Sequence, residues 1–411
     1  MIAIAAGFGH SIALRSNGTV VAWGDNTYHQ LGDGTDTTSL VPVQVCAVGE
    51  VAPCGRFLSG VTAIAAGGFH SLAILRNGTV VSWGWNGEGQ LGDGTFDQRL
   101  VPVQVCAVGQ VAPCGQFLSG VSGIAAGGLH SLARLGASSA VVSWGWNADG
   151  QLGNGTTTES PVPVRVCAVG QVAPCSQFLT TARTLAGGYW HSLAVVGNAD
   201  AVGWGYNGEG ELGDGTTTSR STPVRVCAVG QVAPCSRFLT AVNAVSAGAN
   251  HSLARLGDGS VVSWGYNALG QLGDGTTTTR LTPVRVCAVG ETAPCTRFLY
   301  QVRIIAAGAD HSMAQLSSGG VITWGYNAEG QLGDGTTTSR SVPVRVCAVG
   351  EVAPCTRFLI LIRGIAAGTF HSMALQPNYT VATWGGNSFG QLGDGTTENR
   401  LTPVQVLAPA T

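Results

Sequence analysis

The chain has 411 residues, of which 62 are glycine, and only 10% are charged, against about 25% in an average globular protein. Its 20 basic residues are all arginine, and the formal net charge is −2. No basic run occurs along the chain, which argues against a nucleic-acid-binding protein. No apolar run reaches the ~18 residues that a membrane helix needs, so we expect no membrane insertion.

The first residues of the chain are apolar and could be mistaken for a targeting segment. Residues 4–7, Ile-Ala-Ala-Gly, recur as residues 64–67, and no basic residue precedes them. A secretory signal peptide needs a basic segment before its apolar core. We therefore interpret this segment as the beginning of an internal repeat.

One sequence unit is repeated along the whole chain. A Trp-Gly dipeptide occurs at intervals of 60 or 61 residues, and a His-Ser dipeptide keeps step with it. The tryptophans are Trp23, Trp83, Trp144, Trp204, Trp264, Trp324 and Trp384, and the histidines are His10, His70, His130, His191, His251, His311 and His371. Such an array is one domain built of small units. We expect units at about 1–60, 61–120, 121–181, 182–241, 242–301, 302–361 and 362–411.

The second unit shows the strand pattern. Strand-like runs cover residues 61–66, 70–75 and 79–83, and Pro-Val-Gln-Val closes the unit at 102–105. Asn77-Gly78 between the second and third runs is a strong hairpin signal, because a type I′ turn needs positive φ at both central residues. We name the four strands A, B, C and D. Seven units of four antiparallel strands predict an all-β fold, a seven-bladed β-propeller, with a β-solenoid as the alternative.

The unit also resembles a known repeat. Its pattern reads Ala-Ala-Gly-x-x-His-Ser-Leu-Ala, then Asn-Gly-Thr-Val-Val-x-Trp-Gly-x-Asn-x-x-Gly-Gln-Leu-Gly-Asp-Gly-Thr, then Pro-Val. It is similar to the regulator-of-chromosome-condensation repeat, and the resemblance covers all seven units. Members of that family include nuclear exchange factors, a plant photoreceptor and a secreted bacterial inhibitor. The resemblance therefore implies a seven-bladed propeller without fixing a function.

Twelve cysteines form six pairs, each with seven residues between the partners. The pairs are Cys46 and Cys54, Cys106 and Cys114, Cys167 and Cys175, Cys227 and Cys235, Cys287 and Cys295, and Cys347 and Cys355. An even number at constant spacing indicates disulfides and an oxidising compartment. Reduced thiols and zinc are the alternatives, although a structural zinc site takes four ligands. The nuclear members of the resembling family lack these loops, so we expect the secreted bacterial type, located at the cell surface or outside the cell.

Three recurrent polar motifs have simple structural explanations. Seven equivalent histidines do not suit a catalytic site, which is single and asymmetric, so each is expected to bond a turn or a neighbouring backbone; a metal-binding ring is the alternative. Residues 87–92 match Gly-x-Gly-x-x-Gly, but no helix follows to meet a dinucleotide phosphate. Asp93 and its equivalents before glycine favour a turn over a calcium site. We expect no cofactor and no metal.

Function in a repeat protein is expected where the units differ. We expect the tryptophans, and a phenylalanine after each cysteine loop, to pack between blades. Most other aromatics fall in the A–B turns or the C–D loops, which share one face of an antiparallel blade, while the B–C hairpins and cysteine loops lie on the other face. Candidate partner-binding residues there are Phe8, Phe69, Trp85, Trp146, Tyr189, Trp190, Tyr206, Tyr266, Asp310, Tyr326 and Phe370. Exposed aromatic clusters mark interaction sites, although these rings could instead pack on one another as structural lids.

The sequence therefore favours a non-catalytic extracellular or cell-surface module that binds an unidentified protein. A glycan-binding propeller or a structural component of a surface assembly is the alternative. Near-identical repeated pockets would favour a glycan, and an asymmetric patch would favour a protein. An enzyme is disfavoured because the sequence offers no unique nucleophile–base pair. The pattern leaves open whether each unit forms one blade or the two termini complete a blade together.

Overall fold

The computed structural model describes residues 1–136 and 138–408. Its 28 β-strands form seven four-stranded antiparallel sheets, and the strands of each sheet follow one another in sequence order. The predicted seven-bladed β-propeller is confirmed. Within these residues no helix is long and apolar enough to cross a membrane.

Each blade contains one strand of each kind. The A strands are β1 (Ala3–Ala6), β5 (Val61–Ala66), β9 (Val121–Ala126), β13 (Ala182–Gly187), β17 (Val242–Ala247), β21 (Val302–Ala307) and β25 (Gly364–Ala367). The B strands are β2 (His10–Leu14), β6 (His70–Leu75), β10 (His130–Leu135), β14 (His191–Val196), β18 (His251–Leu256), β22 (His311–Leu316) and β26 (His371–Leu375). The C strands are β3 (Val20–Gly24), β7 (Val80–Gly84), β11 (Val141–Gly145), β15 (Asp200–Gly205), β19 (Val261–Gly265), β23 (Val321–Gly325) and β27 (Val381–Gly385). The D strands are β4 (Ser39–Gln44), β8 (Arg99–Gln104), β12 (Ser160–Arg165), β16 (Arg220–Arg225), β20 (Arg280–Arg285), β24 (Arg340–Arg345) and β28 (Arg400–Gln405).

The D strand begins earlier than the sequence pattern predicted. Strand β8 starts at Arg99, which lies opposite Gly84, and a bulge separates this pair from the next, Ser82 with Val103. Each D strand is the outer edge of its sheet. Pro102 is tolerated there because its missing N–H needs no partner on an edge strand.

The A strands surround a central channel of about 430 Å³. Its wall is mostly alanine and glycine from all seven blades, and Phe8, Tyr189 and Thr369 come from the A–B turns at one mouth. Small side chains let seven strands converge on one axis. The channel therefore opens on the face that carries the predicted aromatic residues.

The hydrophobic core is divided among the spaces between neighbouring blades. Trp83 of blade 2 is fully buried against Ile12 and Leu14 of blade 1. At the seam, Trp23 of blade 1 packs in the same way against Leu375 of blade 7. Truncating a buried tryptophan of this kind to alanine costs about 3–5 kcal/mol. Each blade thus depends on its neighbour to cover its faces.

The ring closes without any exchange of strands between blades 1 and 7. Strands β1–β4 form one sheet, and β25–β28 form another. The amide of Thr369 donates to the carbonyl of Gly7 (3.2 Å), and the amide of Gly395 donates to the carbonyl of Leu40 (3.1 Å). These contacts repeat those of the other interfaces, for example Gly94 N–H with the carbonyl of Pro161 (2.9 Å). Each repeat is therefore one complete blade.

All six cysteine pairs form disulfides, with Cα–Cα separations of 5.7–5.8 Å. Each disulfide closes a loop within the connection from one D strand to the next A strand. Among the described residues, no disulfide joins the sheets of two different blades directly. The disulfides therefore stabilise the connections, while the blade interfaces depend on packing and hydrogen bonds.

The expectation for the phenylalanines after the cysteine loops was wrong. Phe57 and Phe117 are 42% and 40% exposed, whereas the next residues, Leu58 and Leu118, are 3% and 4% exposed. Phenylalanine is bridged to the first cysteine of its loop, as in Cys46 with Phe57, and side chains alternate along this extended segment. Leucine therefore enters the space between blades and phenylalanine stays outside. In four blades an arginine stacks over this ring, as Arg165 does over Phe178 at 5.3 Å.

We predict that Leu118→Ala lowers the free energy of unfolding by about 2–5 kcal/mol, because it opens a cavity between blades 2 and 3. The neighbouring change Phe117→Ala should cost about 1 kcal/mol or less, because this ring is on the surface. Urea unfolding followed by tryptophan fluorescence measures both. Equal losses for the two variants would contradict the assignment of leucine to the core.

Candidate functional site

The seven His-Ser dipeptides link neighbouring blades. His10 Nε2 lies 3.0 Å from Ser71 Oγ of blade 2, and Ser71 Oγ donates to the carbonyl of Gln30 in blade 1 (3.1 Å). The indole N–H of Trp83 donates to that same carbonyl (2.9 Å). At the seam, His371 and Trp23 make the matching contacts with Ser11 and with the carbonyl of Gln391 (2.8–2.9 Å). The histidines therefore have a structural role, because each one links its blade to the next.

The protonation state of these histidines follows from the bonds of the serine. Because Ser71 gives its only hydroxyl proton to a carbonyl, it accepts from His10, so Nε2 of His10 carries the proton. Burial lowers the pKa of His10 to about 4 and that of His70 to about 3. Both rings are neutral at physiological pH.

The predicted aromatic residues do lie on one face, and the structure divides them into groups. A continuous cluster crosses blades 7, 1 and 2, with ring centroids 4.8–5.5 Å apart at each contact. Its members are Phe370, Phe8, Phe69, Tyr28 and Trp85. Tyr28 was outside the candidate set, yet it joins Phe69 to Trp85. We call this group the five-ring cluster.

A second group is the pair Tyr189 and Trp190 in blade 4, whose ring centroids are 5.3 Å apart. Burial raises the pKa of Tyr189 to about 12. The other candidates, Trp146, Tyr206, Tyr266 and Tyr326, are half-buried in the C–D loops and are spread around the face. Asp310 accepts a hydrogen bond from Gln271 of the preceding blade (3.3 Å), and burial raises its pKa.

The face that carries these rings is acidic. We define the aromatic face as the A–B turns together with the first half of each C–D loop, from the residue after Trp-Gly to the Gln or Glu before Leu-Gly. It holds seven acidic residues and no arginine: Asp25, Glu88, Asp149, Glu209, Glu211, Asp310 and Glu329. Its formal charge is therefore −7, against −2 for the whole chain.

Glu211 is a residue that sequence reasoning missed. Six repeats have glutamine at this position, and blade 4 alone has glutamate. The side chain is fully buried, Oε2 accepts from the amide of Glu209 (3.0 Å), and Oε1 has no partner. Burial raises the pKa of Glu211 to about 7, and the charges of Glu209 and Asp149 act in the same direction. The single departure from the repeat was the signal that could have found it.

The second half of each C–D loop leaves the aromatic face and reaches the cysteine loop. The amide of Cys106 donates to the carbonyl of Gly92 (2.8 Å). Asp93 accepts from the amide and hydroxyl of Thr95 (3.0 and 2.8 Å), which is the predicted turn, and it pairs with Arg99 (2.6 Å). Over residues 1–136 and 138–408, no group of three or more His, Cys, Asp or Glu side chains is placed to hold a metal ion.

The fold defines an all-β propeller built of repeats, and comparison with known proteins gives its family. The family model for the regulator of chromosome condensation (RCC1) repeat matches residues 17–74, 77–134, 140–195, 203–255, 258–315, 318–375 and 380–411. The chain belongs to the RCC1 repeat family. Proteins of this family are mostly interaction modules or exchange factors. Membership supports a function of this general kind and no more specific one.

Several known proteins are similar over most of the chain. The Arabidopsis thaliana ultraviolet-B receptor UVR8 is 31% identical over 84% of this chain and 70% of that protein. The human E3 ubiquitin-protein ligase HERC2 is 27% identical over 97% of this chain, which spans only 7% of that ligase. Yeast RCC1 (Prp20), in its crystal structure with Kap60, has a TM-score of 0.72 and 20% identity, covering 96% of this chain and 85% of that one. Similarity at that identity supports the fold alone.

We predict that acid destabilises the ring through the seven buried histidines. Their pKa values lie below the ordinary 6.5, so protons bind the unfolded chain more tightly than the folded one. Stability from this source is complete above pH 6.5 and is lost as the pH falls, by about 1.4 kcal/mol per pH unit for each histidine. Urea unfolding between pH 7 and about pH 5 measures the slope. A free energy of unfolding that stays constant over this range would contradict the prediction.

The opposite sign holds for Glu211. Its folded pKa of about 7 is above the ordinary 4.5, so the stability of its neutral form is complete below pH 4.5 and is lost as the pH rises through 7. Glu211→Gln should therefore raise the free energy of unfolding by roughly 2–3 kcal/mol above pH 7 and leave it almost unchanged below pH 4.5. The matched change Gln151→Glu should introduce the same pH dependence in blade 3. A pH-independent effect of either variant would overturn this assignment.

Proposed function

We propose that this propeller is a non-catalytic binding module that recognises a protein partner through its aromatic face. The observation that carries the proposal is the five-ring cluster, which brings aromatic rings from three blades into one continuous group. Aromatic side chains dominate the energetics of protein interfaces when they cluster near the centre. Each of the five rings is half-buried, so it is held by its neighbours and still leaves part of its surface open to a partner.

The charge of the aromatic face supports a basic partner. Seven acidic residues and no arginine lie on this face, and all but the buried Asp25 and Glu211 are partly exposed. A protein segment rich in lysine or arginine would therefore be attracted, and a strongly acidic protein would be repelled. Arginine on the partner could also stack over the tyrosine and tryptophan rings. Crystallographic work on the related Prp20p of Saccharomyces cerevisiae records binding to Gsp1p and to histones, so proteins are established partners on this scaffold.

Asymmetry favours a protein over a glycan. The residue before the repeated histidine is aromatic in blades 2, 4 and 7. In three other blades it is not aromatic, as Leu129, Asn250 and Asp310 show. Near-identical sugar pockets would need near-identical rings in each blade. The one continuous cluster at blades 7, 1 and 2 instead suits a single asymmetric ligand.

We also propose that the protein works outside the cytosol, as a secreted or surface-attached member of the family. Six disulfides in the connections support this location, because such bonds persist in oxidising compartments. The curated relatives named above are plant and human proteins, so the bacterial secreted type remains part of this proposal.

The test compares capture of proteins from culture supernatant and cell-envelope extract by the parent and by a triple variant, Phe8→Ala with Phe69→Ala and Trp85→Ala. We expect a captured protein to bind the triple variant at least about tenfold more weakly, as hot-spot aromatics require, and to be released by salt. Isothermal calorimetry with the isolated partner measures the loss.

The matched control carries Phe57→Ala, Phe117→Ala and Phe178→Ala, three exposed rings after the cysteine loops. It should bind like the parent. Equal loss in both triple variants would show a general effect of aromatic content, and equal binding by all three proteins would remove the aromatic face from the interaction. Binding of a glycan array by the parent, abolished in the first variant, would replace the protein partner by a sugar.

A further inference from the structure

The two faces of the ring carry opposite charges. We define the hairpin face as the B–C hairpins, the cysteine loops, and the strand ends that lead into them. Five of the 20 arginines pair with aspartates in the C–D loops, and the other fifteen all lie on the hairpin face: Arg15, Arg56, Arg76, Arg134, Arg165, Arg183, Arg225, Arg237, Arg255, Arg285, Arg297, Arg303, Arg345, Arg357 and Arg363. Only five acidic residues share it, Glu50, Asp200, Asp258, Glu291 and Glu351. Fifteen positive and five negative charges leave a formal charge of +10. The second halves of the C–D loops, which reach the cysteine loops, hold ten acidic residues and five arginines, and their formal charge is −5.

Exposed apolar side chains occur around the whole hairpin face, and one sector carries an additional group. A valine is 82–83% exposed in five of the six cysteine loops: Val51, Val111, Val172, Val232 and Val352. Tyr300, Ile360 and Leu361, at the entrances to strands A of blades 6 and 7, are 63%, 58% and 64% exposed. The equivalent residues in earlier connections are small or polar, for example Ser59-Gly60 and Thr240-Ala241. This apolar sector therefore breaks the repeat.

The backbone at Leu361 is in a conformation that suits glycine. Its φ is +61°, and the position has φ between +56° and +70° in every connection, where it holds Gly60, Gly120, Thr181, Ala241 and Gln301. A leucine with positive φ is strained. Leu361 differs from its equivalents in its large apolar side chain, which is 64% exposed and therefore contributes little to folding. This difference indicates a role at the surface.

Arginines border the apolar sector. Arg303 and Arg363 line a surface cavity of about 550 Å³ together with Ile2 and Tyr379, and Arg363 is two residues after Leu361 in the chain. The guanidinium of Arg363 lies 4.3 Å from the centre of the exposed Tyr379 ring. Positive charge and exposed apolar groups thus alternate over the sector where blades 6, 7 and 1 meet.

We propose that the hairpin face docks on an anionic lipid surface, with Ile360 and Leu361 entering the boundary between headgroups and acyl chains while the surrounding arginines contact the phosphates. Apolar insertion combined with basic charge is the general mode of peripheral membrane binding. Exposed isoleucine and leucine beside arginines suit the interface of a bilayer better than a nucleic-acid backbone, which arginines alone would contact.

The test is sedimentation of the full chain with vesicles of phosphatidylcholine alone and with vesicles that also contain phosphatidylglycerol. We expect binding only to the anionic vesicles, with a loss of binding as salt rises. Ile360→Asp with Leu361→Asp should weaken this binding about tenfold or more, because two apolar contacts are replaced by charges that the lipid repels. The matched control, Thr240→Asp with Ala241→Asp, makes the same charge change at the equivalent position of another connection and should bind nearly as the parent does.

Leu361→Gly separates binding from folding. Glycine relieves the positive φ, so this variant should be at least as stable as the parent in urea while binding anionic vesicles more weakly. Equal vesicle binding by the parent and both Leu361 variants would overturn the proposal, as would binding to neutral vesicles to the same extent. Binding of duplex DNA or heparin in place of vesicles would assign the arginines to another polyanion. The triple variant of the five-ring cluster should keep full vesicle binding, so failure of the aromatic-face proposal and failure of this one are distinguishable.

Discussion

The structure depends on one repeated convergence of hydrogen bonds at the boundary between blades. A backbone carbonyl, that of Gln30 at the first boundary, accepts from a serine hydroxyl and an indole N–H of the next blade, and a histidine of its own blade completes the link through that serine. All of these groups are buried, so leaving one of them unpaired would cost about 1–3 kcal/mol. This requirement accounts for the strict recurrence of histidine, serine and tryptophan, while the residues that only border the boundary vary.

The alternating direction of the strands separates the two faces of the molecule. Strand direction sends the A–B turns and the beginning of the C–D loops to one end, and sends the hairpins and cysteine loops to the other. Acidic and aromatic residues collect at the first end, and fifteen arginines collect at the second, where three of them pair with glutamates of the cysteine loops. The net charge of −2 is therefore the sum of −7 on the aromatic face, +10 on the hairpin face and −5 in the second halves of the C–D loops. A long-range electrostatic field of this kind orients an approaching charged partner before contact.

Much of this could be predicted from the sequence, because the periodic residues are the structural ones. Trp-Gly spacing predicted seven blades, cysteine spacing predicted the disulfides, and alternating strand direction predicted which turns share a face. Prediction was wrong where neighbouring residues of similar character compete for one buried position, as at Phe117 and Leu118, because hydrophobicity does not show which side of an extended segment faces inward. Glu211 was missed because a consensus pattern hides a single change, and the charge separation was missed because the arginines are scattered in sequence and meet only in the fold.

Ring closure without strand exchange has a consequence for how the chain acquires its structure. Every blade is continuous in sequence, and each disulfide joins cysteines only eight positions apart. The strands of each blade can therefore pair while later residues are still being synthesised, and each new blade can then pack against the one before it. No early segment has to wait for a distant strand, and the only long-range step is the final meeting of the last blade with the first. The topology thus permits assembly in the order of synthesis, and an incomplete arc of blades would expose one unsatisfied boundary at each end.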